Sequence, residues 1–427
     1  MHTFDITIEN LSKIEGHTDL DIKVKNGKVE HVQLKISENK RFYTQAIRGK
    51  PAIAAPQLMC RICGTCSIAH LLCCIQAVEN AMDIRPSEQT VLLRKLAMYG
   101  LYIRDHALHL YMFSLPDIMG KDSILDFDEH DEYEDRLLHS CFEVKAAGNA
   151  LSTLVAGKAI HPPFPAVGGF AKVPTKEETQ PVIKQLEHIR EDVLELIDIF
   201  MPEKFDFTRE TNYVCLTSKD FNFYTGDHIC TSKKECIPWQ KFGQHLVHKV
   251  IPYSQASGYE YEGETYMIGA LARVNLNEAY LHPKTRKDAK KALELFPSNN
   301  VFHNNLAQAI EILHAIDTSV EILKKTTFRK EEISIAPKAG TGIGVVEAPR
   351  GTLYYSIDVD KTGKITHADI VVPTGQNQIN IQQDIKALIE ANLSLPKDKI
   401  QFEIEKLIRA YDPCMSCAAH FLKINWQ

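Results

Sequence analysis

Two short cysteine motifs near opposite ends of the chain carry residue types that are well suited to binding a metal. Cys63 and Cys66 form one Cys-x-x-Cys motif, and Cys414 and Cys417 form the other. In such a motif, two thiolates from one turn can bind a single soft metal ion. The two motifs together offer four thiolates, although they lie 351 positions apart (414 − 63).

Three kinds of site remain open on spacing alone. A structural zinc site can use four cysteines, but zinc ribbons usually hold both pairs within about 20 residues of each other. A thioredoxin-like redox pair is a second alternative, although neither motif follows a βαβ pattern. A catalytic or redox-active metal is the third alternative. The large separation favours it, because a site that joins both ends of a chain would lie at the centre of a large fold.

The residues that flank the cysteines add polar groups around such a metal. Arg61 precedes the first pair, Asp412 precedes the second, and His70 and His420 follow the two pairs. Hydrogen bonds from groups of this kind tune a ligated thiolate and its metal. The flanking residues therefore favour a catalytic metal.

The composition is that of a globular protein and excludes several functional classes. Of the 427 residues, 44% are hydrophobic and 24% are charged, which is ordinary for a folded domain. The net charge of −6 disfavours nucleic acid as the main partner, because phosphate binding needs a basic surface. No apolar stretch approaches the roughly 18 residues of a membrane helix, so we expect no direct membrane span.

The cysteine count indicates a reducing compartment. Eleven cysteines, with no readable signal peptide, argue for reduced thiols and a cytoplasmic location. Outside the two motifs we expect free, buried thiols at four scattered positions: Cys141, Cys215, Cys230 and Cys236.

The periodicity predicts an α+β fold that is predominantly helical. Alternating residues on either side of Asn26-Gly27 predict one hairpin, and residues 353–370 predict a second. We expect a helical core around a buried metal site, with small antiparallel sheets at the periphery. Helical patterns cover the following segments: 67–114, 133–154, 176–197 after a capping box at Thr175, and 306–323.

We expect one interwoven catalytic unit over residues 1–427. Within it we distinguish a β-rich segment and a helical segment with the first cysteine pair, then a mixed insertion and a segment with the second pair. Their bounds are 1–50, 51–205, 206–300 and 301–427.

Both cysteine motifs resemble the signature motifs of the nickel-iron hydrogenase large subunit. Those motifs read Arg-x-Cys-Gly-x-Cys-x-x-x-His and Asp-Pro-Cys-x-x-Cys-x-x-His. The details are most similar to cytosolic multisubunit hydrogenases linked to NAD(P), including the sulfhydrogenases. Further blocks resemble the family along nearly the whole chain: 14–17, 106–117, 161–169, 269–275, 305–309, 347–351 and 373–377.

The resemblance implies a nickel–iron centre that cleaves H2 reversibly and heterolytically. Cys63 and Cys414 would be terminal nickel ligands, while Cys66 and Cys417 would bridge nickel to an iron that carries carbon monoxide and cyanide. Thiolates suit this chemistry because they are soft and can accept a proton. Cys414 would accept that proton, and Glu15 would pass it outward.

The resemblance also implies a positioned arginine and a set of cofactor-binding groups. Arg350 would lie over the open metal position, held by Asp117 and Asp412. Pro349 and Thr374 belong to the cofactor-binding set, in which the Thr374 hydroxyl and the Arg350 backbone N–H would donate to the cyanides. Taken singly, residues such as Arg350 and Asp117 would be a surface ion-pair residue and a helix cap. Their co-occurrence with both cysteine motifs favours the catalytic roles.

A magnesium site is the point at which the sequence departs from the family. The family binds magnesium through a glutamate, a C-terminal histidine and a backbone carbonyl, which correspond here to Thr44, His420 and Ile370. Because Thr44 is neutral, a hard cation would lose one charged ligand. A weakened site, a water-filled site and a site served by Glu38 remain open. Seven residues follow His420, and the resemblance leaves open whether maturation removes them.

The chain has no second cysteine array for iron–sulfur clusters. We therefore expect the partner to be an iron–sulfur small subunit, with further diaphorase-like electron-transfer subunits. Two alternatives are a complex I-like relative without hydrogenase activity, whose family lacks the metal cysteines, and a zinc-stabilised structural module. The metal content distinguishes these alternatives from a hydrogenase.

Overall fold

The computed structural model describes residues 3–39, 42–202, 205–333, 335–336 and 338–419. Its strands are β1 (Phe4–Ile8), β2 (Thr18–Lys25), β3 (Lys28–Ile36), β4 (Pro165–Ala166), β5 (Gly169–Phe170), β6 (Asn212–Thr217), β7 (His228–Thr231), β8 (Cys236–Pro238), β9 (Leu246–Lys249), β10 (Gly258–Tyr261), β11 (Tyr266–Met267), β12 (Gly340–Ala348), β13 (Gly351–Val359) and β14 (Ile365–Val371).

Its α-helices are α1 (Tyr43–Ala46), α2 (Ala55–Met59), α3 (Ser67–Met82), α4 (Glu88–Ala107), α5 (Leu115–Met119), α6 (Glu132–Ala156), α7 (Lys176–His188), α8 (Arg190–Phe200), α9 (Phe242–His245), α10 (Ala270–Asn277), α11 (Pro283–Asp288), α12 (Lys290–Leu293), α13 (His303–Lys325), α14 (Pro373–Ala391), α15 (Lys397–Ala410) and α16 (Met415–Ala418). A π-helical segment, Leu108–Ser114, joins α4 to α5. The architecture agrees with the predicted α+β, mostly helical class.

The N-terminal sheet forms where the alternating pattern predicted it. β2 and β3 pair antiparallel through Asn26 and Gly27, which both have positive φ as a tight hairpin turn requires. β1 adds a third strand on the open edge of β2. This sheet places residues 9–17, which lead from β1 to β2, beside the C-terminal cysteine motif.

Helix ends follow the capping signals, but the long helical patterns are interrupted. Thr175 and Glu178 form the predicted reciprocal capping box at the start of α7. The pattern over residues 67–114 is not one helix, because Asp83 adopts a left-handed conformation and ends α3. The π-helical segment then changes the helical register before Asp117 on α5.

The sheet β12-β13-β14 lies in the core, against α3. Its middle strand is buried along most of its length, so the second hairpin is not peripheral as expected. Gly340, Gly342 and Gly344 form one face of β12, and a Cβ at Gly342 would lie 1.9 Å from the Ala77 carbonyl oxygen of α3. These glycines therefore let β12 approach the backbone of the helix that begins beside Cys66.

Replacing Gly342 by alanine is expected to lower the free energy of unfolding by about 1–3 kcal/mol, because the added methyl overpacks a backbone contact. Chemical denaturation of the purified protein measures this. The neighbouring Thr341→Ala variant alters an exposed residue and is expected to stay within about 0.5 kcal/mol of the parent. Equal stability of both variants would contradict this packing argument.

The segment that the sequence left unresolved forms two small sheets. β6 pairs with β7 antiparallel and with β11 in parallel. β7 and β8 pair so that Cys230 and Cys236 face each other, and a disulfide joins them. The prediction that these two cysteines are free buried thiols is therefore wrong, whereas Cys141 and Cys215 are free and buried.

One hydrophobic cluster draws residues from all four predicted segments, for example Leu20, Leu72, Leu271 and Leu313. The segment boundaries themselves stay a prediction. Within the described ranges, no helix has both the length and the apolar character that a bilayer crossing requires.

Candidate metal centre

The four motif cysteines meet at one buried point. Cys63 Sγ lies 3.5 Å from Cys414 Sγ, and Cys66 Sγ lies 3.1 Å from Cys417 Sγ. All four sulfur atoms lie within 4.8 Å of one another. Each side chain is at most 4% exposed, so the cluster is shielded from water. The predicted meeting of the two chain ends is confirmed.

Backbone contacts from the N-terminal segment hold the second motif in place. The Met415 N–H donates to the Glu15 carbonyl at 2.9 Å, and the Ser416 N–H donates to the Glu15 carboxylate at 3.1 Å. The Cys414 N–H donates to the Thr374 hydroxyl at 2.9 Å. The turn that presents the second cysteine pair is therefore bound on two sides, by the N-terminal segment and by the first turn of α14.

The thiol cluster is organised for a cation. Hydrogen bonds from neighbouring thiols, led by that of Cys414, hold the pKa of Cys63 well below its usual value. Burial raises the pKa of Cys414 and Cys417 well above theirs. One thiolate is therefore stabilised by the protein alone. A bound metal ion is needed to hold four thiolates together in this space.

The Arg350 guanidinium is buried beside the cysteines and pairs with two carboxylates. Its Nη1 lies 2.9 Å from Asp105 Oδ2 and its Nη2 lies 2.8 Å from Asp412 Oδ1. Burial disfavours the charged form, but these carboxylates outweigh it and hold the pKa of Arg350 well above its usual value. Arg350 is therefore a fixed cation.

The prediction that Asp117 holds Arg350 is wrong. Asp117 instead accepts hydrogen bonds from Arg409 Nε at 2.6 Å and from Lys13 Nζ at 2.6 Å. Asp105 lies on α4 before the π-helical segment, and Asp117 lies after it, so the two carboxylates face different partners. The predicted contact between Asp412 and Arg350 is present.

Two positions that the sequence marked only as family-like blocks support this arginine. Gln308 Nε2 donates to Asp412 Oδ2 at 3.0 Å. Arg273 donates to the Ala348 carbonyl at 3.1 Å and to the Pro349 carbonyl at 2.9 Å. Both contacts fix groups next to Arg350. The signal for them was present in the blocks, but the contacts join distant parts of the chain.

A cavity with about 260 Å³ of empty space adjoins Cys66, Cys414 and Cys417. Its walls are mostly apolar, and Arg350 and Thr374 supply the polar groups. The remaining lining residues are His70, Ala348, Pro349, Leu353 and Pro373. The cavity leaves room beside the sulfurs for a second metal with small ligands.

The expected magnesium ligands are only partly described. Thr44 is buried on α1, which packs against β14, and Ile370 lies on β14. The predicted ligand His420 lies outside the described residues. Glu38 already accepts the His17 N–H at 3.0 Å. The magnesium site stays a prediction.

The other polar and sulfur-bearing residues near the centre have structural partners. Cys60 lies outside the four-sulfur cluster and donates to the Gln57 carbonyl at 3.3 Å. His70 Nδ1 lies 2.8 Å from the Tyr355 hydroxyl, and burial lowers the pKa of His70 to about 4. His70 is therefore neutral near pH 7.

Known proteins resemble this chain along almost its whole length. The family model described as nickel-dependent hydrogenase matches residues 41–135 and 209–420. The alpha chain of sulfhydrogenase 1 from Pyrococcus furiosus is 30% identical over 98% of this chain and 98% of its own. The F420-non-reducing hydrogenase vhu of Methanocaldococcus jannaschii includes a polypeptide that is 30% identical over 89% of this chain and 97% of its own.

Solved structures show the same fold. An NAD+-reducing NiFe hydrogenase in the H2-reduced state superposes with a TM-score of 0.84 at 25% identity, covering 98% of this chain and 100% of that one. The Ni-Fe-Se hydrogenase of Desulfovibrio vulgaris Hildenborough superposes with a TM-score of 0.80 at 22% identity over the same shares. Because the family model matches well over half of the sequence, the chain belongs to the nickel-dependent hydrogenase family.

Proposed function

We propose that this chain is the catalytic large subunit of a nickel-iron hydrogenase, which interconverts H2 with protons and electrons. The observation that carries the proposal is the cluster of four buried sulfurs from opposite chain ends. The donor set fits nickel because thiolates are soft ligands. When bound, the nickel–iron centre supplies the site at which H2 is polarised and split.

Cys414 and Glu15 form the proton exit in this proposal. Cys414 Sγ lies 3.0 Å from Glu15 Oε2, within reach for direct proton transfer. Burial and then the nearby charge of Cys63 raise the pKa of Glu15 above its usual value. A carboxylate of raised pKa accepts a proton more readily near neutral pH. Glu15 is also partly exposed, so it can pass the proton on.

Arg350, Pro349 and Thr374 would serve the metal side of the cavity. The Arg350 charge would face the open metal position, fixed by Asp105 and Asp412. The Thr374 hydroxyl accepts from the Cys414 N–H and keeps its own hydrogen for a cofactor ligand. Cys66 and Cys417 would bridge the two metals, in keeping with their place beside the cavity.

Replacing Arg350 by lysine is expected to lower the turnover of H2 at least about 100-fold while nickel and iron are retained. A lysine ammonium cannot span both Asp105 and Asp412, so the charge moves away from the metals. H2-dependent dye reduction, together with metal analysis, measures this. Full activity in the variant would show that the two-carboxylate geometry is not needed.

The proposal requires a partner that carries electrons away. Within the described part of the chain, the four-sulfur cluster is the one group of three or more potential metal ligands. We propose that an iron–sulfur small subunit covers the surface beside the first cysteine pair. Gly64, between the two cysteines, is exposed, and apolar Ile53 and Ile160 are 52% and 46% exposed. Exposed apolar residues next to a redox centre are typical of an interface.

Further diaphorase-like subunits and a cytoplasmic location complete the proposal. The likeness to an NAD+-reducing hydrogenase supports a pyridine nucleotide as the final acceptor. Nine described cysteines are free, which favours a reducing compartment.

Purification of the native complex followed by H2-dependent reduction of a viologen dye tests the proposed activity. The proposal predicts reduction that depends on H2 and a co-purified iron–sulfur protein. A pure complex that contains nickel and iron but reduces no dye would contradict catalysis. Zinc alone would favour the structural module, and no metal would favour the complex I-like relative.

A further inference from the structure

Arg104, in the last turn of α4, contacts the loop between the two cysteines of the first motif. Its Nη2 donates to the Thr65 carbonyl. Thr65 in turn places its hydroxyl 3.1 Å from Cys63 Sγ. α6 holds the backbone of Arg104 in place, because a Cβ at Gly148 would lie 2.5 Å from the Arg104 nitrogen. Arg104 is therefore rigidly placed beside the metal-ligand loop.

Arg104 differs from the other buried arginines in its lack of a carboxylate partner. Five other arginines are similarly buried, and each forms an ion pair with aspartate or glutamate: Arg94, Arg190, Arg273, Arg350 and Arg409. Among the described residues, no carboxylate lies at ion-pair distance from Arg104. Its sequence neighbour Asp105 pairs with Arg350, and the buried Arg104 Nε has no hydrogen-bond partner.

A buried guanidinium without a carboxylate is costly unless another negative charge lies near. Burial lowers the pKa of Arg104, and the charges of Asp105, Cys66 and Cys63 act in the opposite direction. Cys63 and Cys66 become thiolates when they ligate a metal. The charge of Arg104 is thus balanced in large part by the metal site itself.

We infer that Arg104 is a positioning residue of the metal centre, which fixes the Cys63–Cys66 loop through Thr65 and raises the reduction potential of the metals by its charge. The inference rests on the proposed function. A nearby cation stabilises the more electron-rich state of a redox centre, and it does so most strongly where water is excluded. Arg104 therefore helps to set the potential at which electrons leave towards the partner subunit.

The test compares Arg104→Gln with Arg104→Lys in the purified complex. The glutamine variant is expected to retain nickel and iron, to shift the infrared bands of the iron-bound carbonyl and cyanides to lower wavenumber, and to shift the nickel midpoint potential to more negative values. The lysine variant keeps the charge and is expected to match the parent. Arg136→Gln removes an exposed arginine paired with Glu195 and is expected to change neither measurement.

Unchanged bands and potential in a metal-loaded glutamine variant would overturn the inference. An equal shift in the lysine variant would also overturn it, because the charge would then not be the cause. If the glutamine variant loses its metals while the lysine variant keeps them, the need for a cation is supported; loss in both contradicts it. A parent complex without nickel and iron would instead overturn the proposed function.

Discussion

Replacing Cys417 by serine is expected to remove both metals and to abolish H2-dependent dye reduction. The Cys417 sulfur lies 3.1 Å from Cys66 Sγ and 2.8 Å from Cys414 Sγ, at the centre of the cluster. A serine hydroxyl is a harder donor that stays protonated, so it cannot replace a bridging thiolate. Metal analysis of the purified complex measures the loss directly.

The matched control is Cys141→Ser, which changes a buried free cysteine on α6 outside the sulfur cluster. This variant is expected to keep its nickel, iron and activity, with at most a loss of stability. The cluster assignment would fail if Cys417→Ser kept full nickel content while Cys141→Ser lost it.

Replacing Glu15 by glutamine is expected to slow H2-dependent dye reduction by about 10²–10⁴-fold, the usual contribution of a positioned proton-transfer group. Glutamine keeps an oxygen that can accept the Ser416 N–H, so the turn around Cys414 should persist. It cannot accept the proton from the Cys414 sulfur at 3.0 Å. Nickel and iron content and the infrared bands are expected to stay at parental values.

Two further variants separate proton transfer from structure. Glu9→Gln neutralises an exposed carboxylate of the same N-terminal segment and is expected to leave the rate unchanged. Glu15→Asp keeps the carboxylate and should restore part of the activity. If Glu15→Gln turned over as fast as the parent, the proton would leave by another route.

Local sequence patterns predicted the parts of the fold that depend on local interactions. The hairpin at Asn26-Gly27 and the cap at Thr175 each depend on the conformational preferences of a few adjacent residues. The two cysteine pairs were predicted to meet because four soft ligands separated in sequence still favour one metal. The structure places their sulfurs together, while their individual roles on nickel and iron remain proposals.

The carboxylate that holds Arg350 could not be chosen from sequence spacing. Asp105 and Asp117 both lie on the same long helical pattern, and each precedes or follows histidines of that pattern. The π-helical segment between them adds residues to the turn, which rotates Asp117 away towards Arg409. No residue type in that segment specifies a π-helix, so only the three-dimensional packing distinguishes the two acids.

The buried sheet and the disulfide were missed for a related reason. The alternation of β12 resembles a surface strand until its glycines are seen to face α3, where a side chain would collide with the helix backbone. Cys230 and Cys236 become partners only because β7 and β8 pair in one register. Register and close approach between distant elements depend on the whole fold.

The central claim is that sulfurs from the two ends of the chain hold one nickel–iron centre. Quantitative metal analysis of the purified complex, with its infrared spectrum, tests this most directly. The account predicts nickel and iron in equal amounts in the large subunit, with sharp absorption from metal-bound carbonyl and cyanide. Zinc in their place, or a metal-free subunit without those bands, would contradict it.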